Sequence, residues 1–141
     1  MLDYLLDACA VLALLNDEAG ADIVTGLLDR AECDEITIGM NAANLIEVYY
    51  DRIRVAGVDR ADVIIREIYN AFPITILETL DIAIVREAAH LKAMGKMSFA
   101  DTILVATARC TGATIVTCDH VELKPVEQQK HISFLWIRPQ F

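Results

Sequence analysis

The stretch Leu2-Asp3-Tyr4-Leu5-Leu6-Asp7-Ala8-Cys9-Ala10-Val11-Leu12-Ala13-Leu14-Leu15 decides how the rest of the chain is read. Leu2 to Leu6 reads as a strand and Ala8 to Leu15 as a short helix, with Asp7 at the joint between them. The same arrangement returns near the other end. Ala113 to Thr117 is a continuous apolar run, and Cys118-Asp119 follows it. Between the two lie further alternating segments. Helical spacing covers Glu18 to Arg30, Glu35 to Gly39 alternates like a strand, and Asn41 to Val55 is helical again. Asp59 caps a helix to about Asn70. Pro73 precedes the β-branched strand Ile74 to Leu77. Thr79 opens a helix to about Met94 that Gly95 can stop. Ser98 opens another to about Cys110, with Gly112 beyond it. Lys124 to Lys130 reads as an exposed loop, and Ser133 to Ile137 as the last strand.

Strands alternating with helices imply an α/β fold, and strands without polar alternation imply a mostly parallel sheet with helices on both faces. With 141 residues, 55% of them hydrophobic, the chain is expected to form a single domain over 1–141. It has no apolar run near the roughly 20 residues a membrane span needs. Met1-Leu2-Asp3-Tyr4 lacks a basic leader segment, so a cytoplasmic protein is expected. The formal net charge of −9 argues against passive binding of nucleic acid through a basic surface. It leaves room for a site where a divalent cation supplies the positive charge. The four cysteines, at 9, 33, 110 and 118, show no metal-finger spacing and read as buried reduced thiols.

In open parallel sheets ligands gather beyond the carboxyl ends of the strands. Asp7 and Asp119 both stand there. Two carboxylates brought close repel each other, and a hard cation such as Mg²⁺ or Mn²⁺ removes that cost. Each acid also has a purely structural explanation: Asp7 as a helix cap, Asp119 as the closure of an Asx-turn. Asp101, in Ser98-Phe99-Ala100-Asp101, resembles the acid of a capping box. Glu47 falls about 140° from the centre of a helical stripe made by Leu45, Ile46, Tyr49 and Ile53. Periodicity alone makes it a solvated residue, on the face of Asn44, Asp51 and Arg54.

Taken in order, these four segments resemble the PIN-domain family, in particular the VapC-type toxins of toxin–antitoxin pairs. The resembling segments are Leu5 to Leu15 with its Asp7, Asn44-Leu45-Ile46-Glu47, Ser98 to Ala108 with its Asp101, and Thr117-Cys118-Asp119. The resemblance implies a PIN-like five-stranded parallel sheet and an acidic pocket of Asp7, Glu47, Asp101 and Asp119. It implies Mg²⁺ or Mn²⁺ held by those acids and hydrolysis of RNA phosphodiesters, with Asn44, Ser98 and Thr117 orienting the carboxylates. It also implies a homodimer and a cognate antitoxin whose basic tail enters the pocket. Cys9 departs from the pattern, since the family usually has Ser or Thr there. Cys9 and Cys118 can both approach the pocket, and Glu122 is a further acid near Asp119.

Substrate grip is assigned to Lys92 and Lys96, which are i,i+4 and flank Gly95 just before the Ser98 helix. Arg52, Arg54 and Lys124 are alternatives. His120 is a weaker candidate ligand. Three rivals remain at this stage: a DNA-cutting nuclease on the same pocket, a binding module without turnover, and a phosphoacceptor domain. The last needs a late lysine on the sheet, and none follows Thr117-Cys118-Asp119.

Overall fold

A computed structural model describes residues 1–127 and 132–139. Lys130, at the end of the expected loop, lies outside that range. Five strands are β1 (Tyr4–Leu6), β2 (Ile38–Asn41), β3 (Thr75–Leu77), β4 (Thr114–Thr117) and β5 (Ser133–Trp136). The helices are α1 (Ala8–Leu15), α2 (Ala21–Glu32), α3 (Ala42–Ala56), α4 (Val58–Asn70), α5 (Ile82–Met94), α6 (Phe99–Thr111) and α7 (His120–Glu127). The strands form one sheet in the order β3-β2-β1-β4-β5, and every pairing is parallel.

The period of two along a strand divides the apolar side chains between the faces. Leu6, Ile38, Met40 and Val116 enter one core with residues of α1, α2, α3 and α4. Leu5 and Ile115 enter the other, with residues of α5, α6 and α7. Leu5 and Leu6 are both fully buried. Each contributes roughly 2 kcal/mol on burial. Helices therefore cover both faces, as expected from the unbroken apolar strands.

Several boundaries move. α2 begins at Ala21 rather than Glu18, because Asp17 (φ 51°) and Gly20 (φ 97°) turn through the left-handed region. α4 begins at Val58 after Gly57, so Asp59 lies in the first turn and does not cap it. Asp81, not Thr79, caps α5, accepting from Ile84 N at 3.0 Å. β2 ends at Asn41, later than expected. The expected loop from Lys124 is α7 as far as Glu127, despite Pro125 within it. Burial of Leu123 and Val126 holds that helix, as does the bond from Trp136 Nε1 to Glu127 Oε1 at 2.8 Å.

The stripe expected on α3 is also displaced. Ile46 and Ile53 are exposed, and the buried face carries Asn44, Leu45, Val48 and Arg52. The apolar residues alone point the wrong way because buried Asn and Arg occupy the inner face.

Gly20 carries a backbone demand that only glycine meets easily. A Cβ there would lie 2.5 Å from the carbonyl oxygen of Ile137. Gly20→Ala should destabilise the fold by at least about 2 kcal/mol through clash and left-handed strain. Urea unfolding tests this, and an unchanged midpoint would contradict it.

Candidate metal centre

The strand order reverses at β1, with β2 and β3 on one side and β4 and β5 on the other. Such a switch point opens a crevice at the carboxyl ends of the two strands that flank it. Here these are β1 and β4, and they end in Asp7 and just before Asp119. Asp7 N donates to Val116 O at 3.0 Å, which locks the two strand ends together.

Asp7 is buried and held from several directions. Its Oδ1 accepts from Ala8 N at 2.7 Å, capping α1. Its Oδ2 accepts from Thr117 Oγ1 at 2.8 Å, and the Cys9 thiol donates to it at 3.5 Å. Thr117 Oγ1 also accepts from Asp119 N at 3.0 Å. One hydroxyl thus ties the two acids' segments together. Asp119 Oδ1 accepts from Glu122 N at 3.1 Å, opening α7. The cap explanation for Asp7 therefore holds, while Asp119 caps the start of α7 through the N–H three residues on instead of closing an Asx-turn; both roles coexist with the clustering.

Asp101 arrives from across the crevice. Ser98 Oγ accepts from Asp101 N at 3.2 Å, so Ser98 caps α6. The reciprocal half of a capping box, from the Asp101 carboxylate to Ser98 N, is absent among the described residues. That carboxylate faces the other acids instead. One oxygen from each of Asp7, Asp101 and Asp119 lies within 4.8 Å of the others.

The charges of this cluster oppose one another. Burial raises the pKa of Asp7, and the charge of Asp119 adds to it, against the hydrogen bonds from Thr117, Ala8 and Cys9. Burial and then the charge of Asp7 push Asp101 up to about 7, with smaller contributions from Asp119 and Glu47. Glu47 is exposed as a residue and lies outside the three-aspartate cluster. Its carboxyl is still near enough that partial burial, followed by the charges of Asp7 and Asp119, raises its pKa.

Three hard carboxylate oxygens at this spacing suit a small divalent cation. Oxygens sharing one Mg²⁺ stand up to about 4.2 Å apart, comparable to the separations here. The raised pKa values identify the same need, since each carboxylate would be stabilised by positive charge between them.

The remaining expected residues are placed less uniformly. Thr117 and Ser98 bond the acids' segments as described. Asn44 is fully buried on α3, three residues before Glu47, and among the described residues both atoms of its amide lack a partner. Asn41, missed in the sequence, ends β2 beside β1 and is buried, its Nδ2 without a partner among the described residues, while its Oδ1 accepts from Thr107 Oγ1 at 3.4 Å. Its position at a strand end before a helix was the available signal. Glu122 is exposed and outside the cluster. His120 turns toward β5, stacking on Trp136 at 4.2 Å with Nε2 2.9 Å from the Arg138 carbonyl.

Among the basic residues, Lys92 donates to Met97 O at 2.6 Å. Arg52 is buried against Asp51, Arg54 lies over the Tyr50 ring, and Lys124 bonds Glu127. Lys96 lines a groove of about 880 Å³ between α5, α6 and α7, with His90 and Arg109. Cys33 and Cys110 are exposed rather than buried. Cys9 and Cys118 are half-buried at the pocket. Among the described residues no helix is long and apolar enough to cross a membrane.

Several solved structures share the fold at low sequence identity. The DNA-bound VapBC complex from Salmonella typhimurium superposes with a TM-score of 0.71 at 14% identity, covering 98% of this chain and 100% of that one. VapBC-1 from nontypeable Haemophilus influenzae gives 0.71 at 13%, covering 96% and 98%. VapC20 from Mycobacterium tuberculosis, a toxin described as cleaving the sarcin–ricin loop, gives 0.65 at 17%, covering 87% and 95%. No curated protein matches the chain in sequence. The PIN domain model matches residues 4–125, a span that contains all four acids. With the crevice at the β1–β4 switch point and its carboxylates inside that span, the chain belongs to the PIN-domain family.

Proposed function

We propose that residues 1–141 form one cytoplasmic, Mg²⁺- or Mn²⁺-dependent endoribonuclease domain, the toxin of a toxin–antitoxin pair. The observation that carries this reading is the gathering of Asp7, Asp101 and Asp119 oxygens within 4.8 Å of one another. A fold has no structural reason to bury like charges together, and a cation-dependent hydrolase does.

Hydrolysis of a phosphodiester adds negative charge to an already anionic group. A bound divalent ion supplies neutralising charge at the reacting phosphate and acidifies an attacking water. The protein's part is to hold the oxygens that anchor such an ion. Asp7 is kept in one orientation by Ala8 N and Thr117 Oγ1. Asp119 is kept beside it through Thr117 and the start of α7. Asp101, pushed up to about 7 by burial and the charge of Asp7, would supply the third oxygen, and a cation there would favour its ionised form. Glu47 adds negative field from the rim, and the buried amide of Asn44, three residues before it on α3, is the proposed group that orients it. Lys96, exposed beside the start of α6, is the proposed backbone-phosphate contact. Lys92 serves it indirectly, by bracing the loop through Met97.

The toxin assignment draws on the fold shared with VapBC complexes. A basic-tailed antitoxin suits an acidic pocket on a chain of net charge −9. A homodimer belongs to the same reading.

The test is cleavage of single-stranded RNA, structured RNA and DNA by the purified protein with Mg²⁺, Mn²⁺ or a chelator. RNA cleavage that a chelator abolishes is expected. Cation binding without cleavage of any RNA would identify a binding module instead. Equal cleavage of DNA would identify a general nuclease.

A further inference from the structure

Two thiols meet at the edge of the acidic crevice, and the proposed hydrolysis uses neither. Cys9 lies in the first turn of α1 and Cys118 immediately after β4. Leu6 and Val116 are direct neighbours in the sheet, so short continuations of two locked strands bring the cysteines together. Cys118 N donates to Cys9 Sγ at 3.1 Å. The N–Cα bond is about 1.46 Å, so Cys9 Sγ lies at most about 4.6 Å from the Cα of Cys118. In a disulfide each sulfur stands roughly 3–4.5 Å from the partner's Cα. Closure therefore requires side-chain rotation and a small shift, without unfolding. Both residues are partly exposed, which leaves a path for a small oxidant.

We propose that Cys9 and Cys118 are a redox-modification site, joined by a hydroperoxide into a reversible disulfide that weakens divalent-cation binding by the adjacent carboxylates. The second half rests on the cation-dependent reading above. In the first step one sulfur attacks a peroxide oxygen. Its S–H proton is lost, an S–O bond forms as O–O breaks, and water leaves. In the second, the other thiol attacks that sulfur. The S–S bond forms, S–O breaks, and a second water leaves. Two thiols and one hydrogen peroxide thus give one disulfide and two waters, with two electrons passing from sulfur to oxygen.

The consequence for the crevice follows from what Cys9 touches. Its sulfur lies 3.5 Å from Asp7 Oδ2 and 3.2 Å from Thr117 Oγ1. Oxidation removes that S–H donor. Drawing the sulfurs to about 2.05 Å also pulls on Cys118, one residue before Asp119. Thr117 bridges Asp7 to the Asp119 backbone, so both carboxylates feel the change.

The test uses full-length protein carrying Cys33→Ser and Cys110→Ser, which removes the two exposed thiols. After hydrogen peroxide, intact mass should fall by about 2 Da, with Cys9 and Cys118 recovered in one linked peptide. Dithiothreitol should reverse it. The dissociation constant for Mn²⁺, measured by calorimetry, should rise about tenfold on oxidation. Adding Cys118→Ser should abolish both the mass loss and the peroxide-dependent change in affinity. Oxygen-added masses without a linked peptide would overturn the disulfide. A disulfide that leaves Mn²⁺ affinity unaltered would overturn its effect on the cation. A reduced protein that binds no Mn²⁺ would sink the nuclease reading and that effect with it, while the mass change still decides the disulfide.

Discussion

Asp101→Asn should produce a protein that folds, melts higher without metal, and has lost cation-dependent RNA cleavage by at least about 100-fold. The two effects share one cause. Asp101 is pushed up to about 7 by burial and by the charge of Asp7, followed by those of Asp119 and Glu47. Its ionised form is thus a burden on the metal-free fold near neutral pH and above. Asparagine keeps the shape and removes that burden, and the Ser98 cap survives because it bonds the backbone N–H. The same change removes one of the three negative charges gathered for the cation. The measurements are Mn²⁺ calorimetry, a thermal melt in chelator at pH 8, and cleavage of labelled RNA. Full cleavage by the variant would refute the site. A lower melting temperature would show that the carboxylate made a stabilising contact after all.

The metal-free wild type should become less stable as pH rises from 5 to 8, by roughly 5–10 °C in melting temperature. A carboxyl whose folded pKa is raised binds more protons folded than unfolded, so stability falls with rising pH. For Asp101 the fall begins near the ordinary value of 3.8 and is complete above about 7. Asp7 and Glu47 are shifted in the same direction and add to it. Asp3 and Glu127 have lowered values and act oppositely, lending stability that is lost as pH falls below the ordinary carboxylate range. Both meet solvent, Asp3 held by hydrogen bonds from Thr37 and Glu127 by those from Lys124 and Trp136, so screening keeps their contribution small. Mn²⁺ should reverse the trend, raising the melting temperature far more at pH 8 than at pH 5. Equal stabilisation at both values would show that the cation does not bind where these acids repel.

The two families of error in the sequence reading have separate physical origins. Helix starts shift at α2 and α4 because backbone conformation overrides side-chain preference: left-handed Gly20, and Gly57 at φ 88°, turn the chain where no capping residue stands; at α5 the shift is one of competing caps, Asp81 taking the role that Thr79 also offers. α3 was rotated because buried Asn44 and Arg52 occupy its inner face while Ile46 faces out. Hydrophobic periodicity assumes the reverse. Glu47 is exposed, as its spacing says, yet its carboxyl feels the charges of Asp7 and Asp119. That proximity is suggested only by its resemblance to a family segment, not by its spacing. Lys92 shows the same limit, because its reach to Met97 depends on how the α5–α6 loop folds back.

Alternating apolar strands and helices were enough to specify a parallel sheet covered on both faces, because burial on two sides demands unbroken apolar strands. The positions of Asp7 and Asp119 just past strand ends were equally plain, since a strand's end is a local property. Which strands are neighbours is not local. The order β3-β2-β1-β4-β5 puts β1 against β4, and that adjacency alone turns two distant acids into one crevice. The turn of α6 that sends the Asp101 carboxylate to them instead of back onto Ser98 was settled the same way, by long-range packing, which no local pattern encodes.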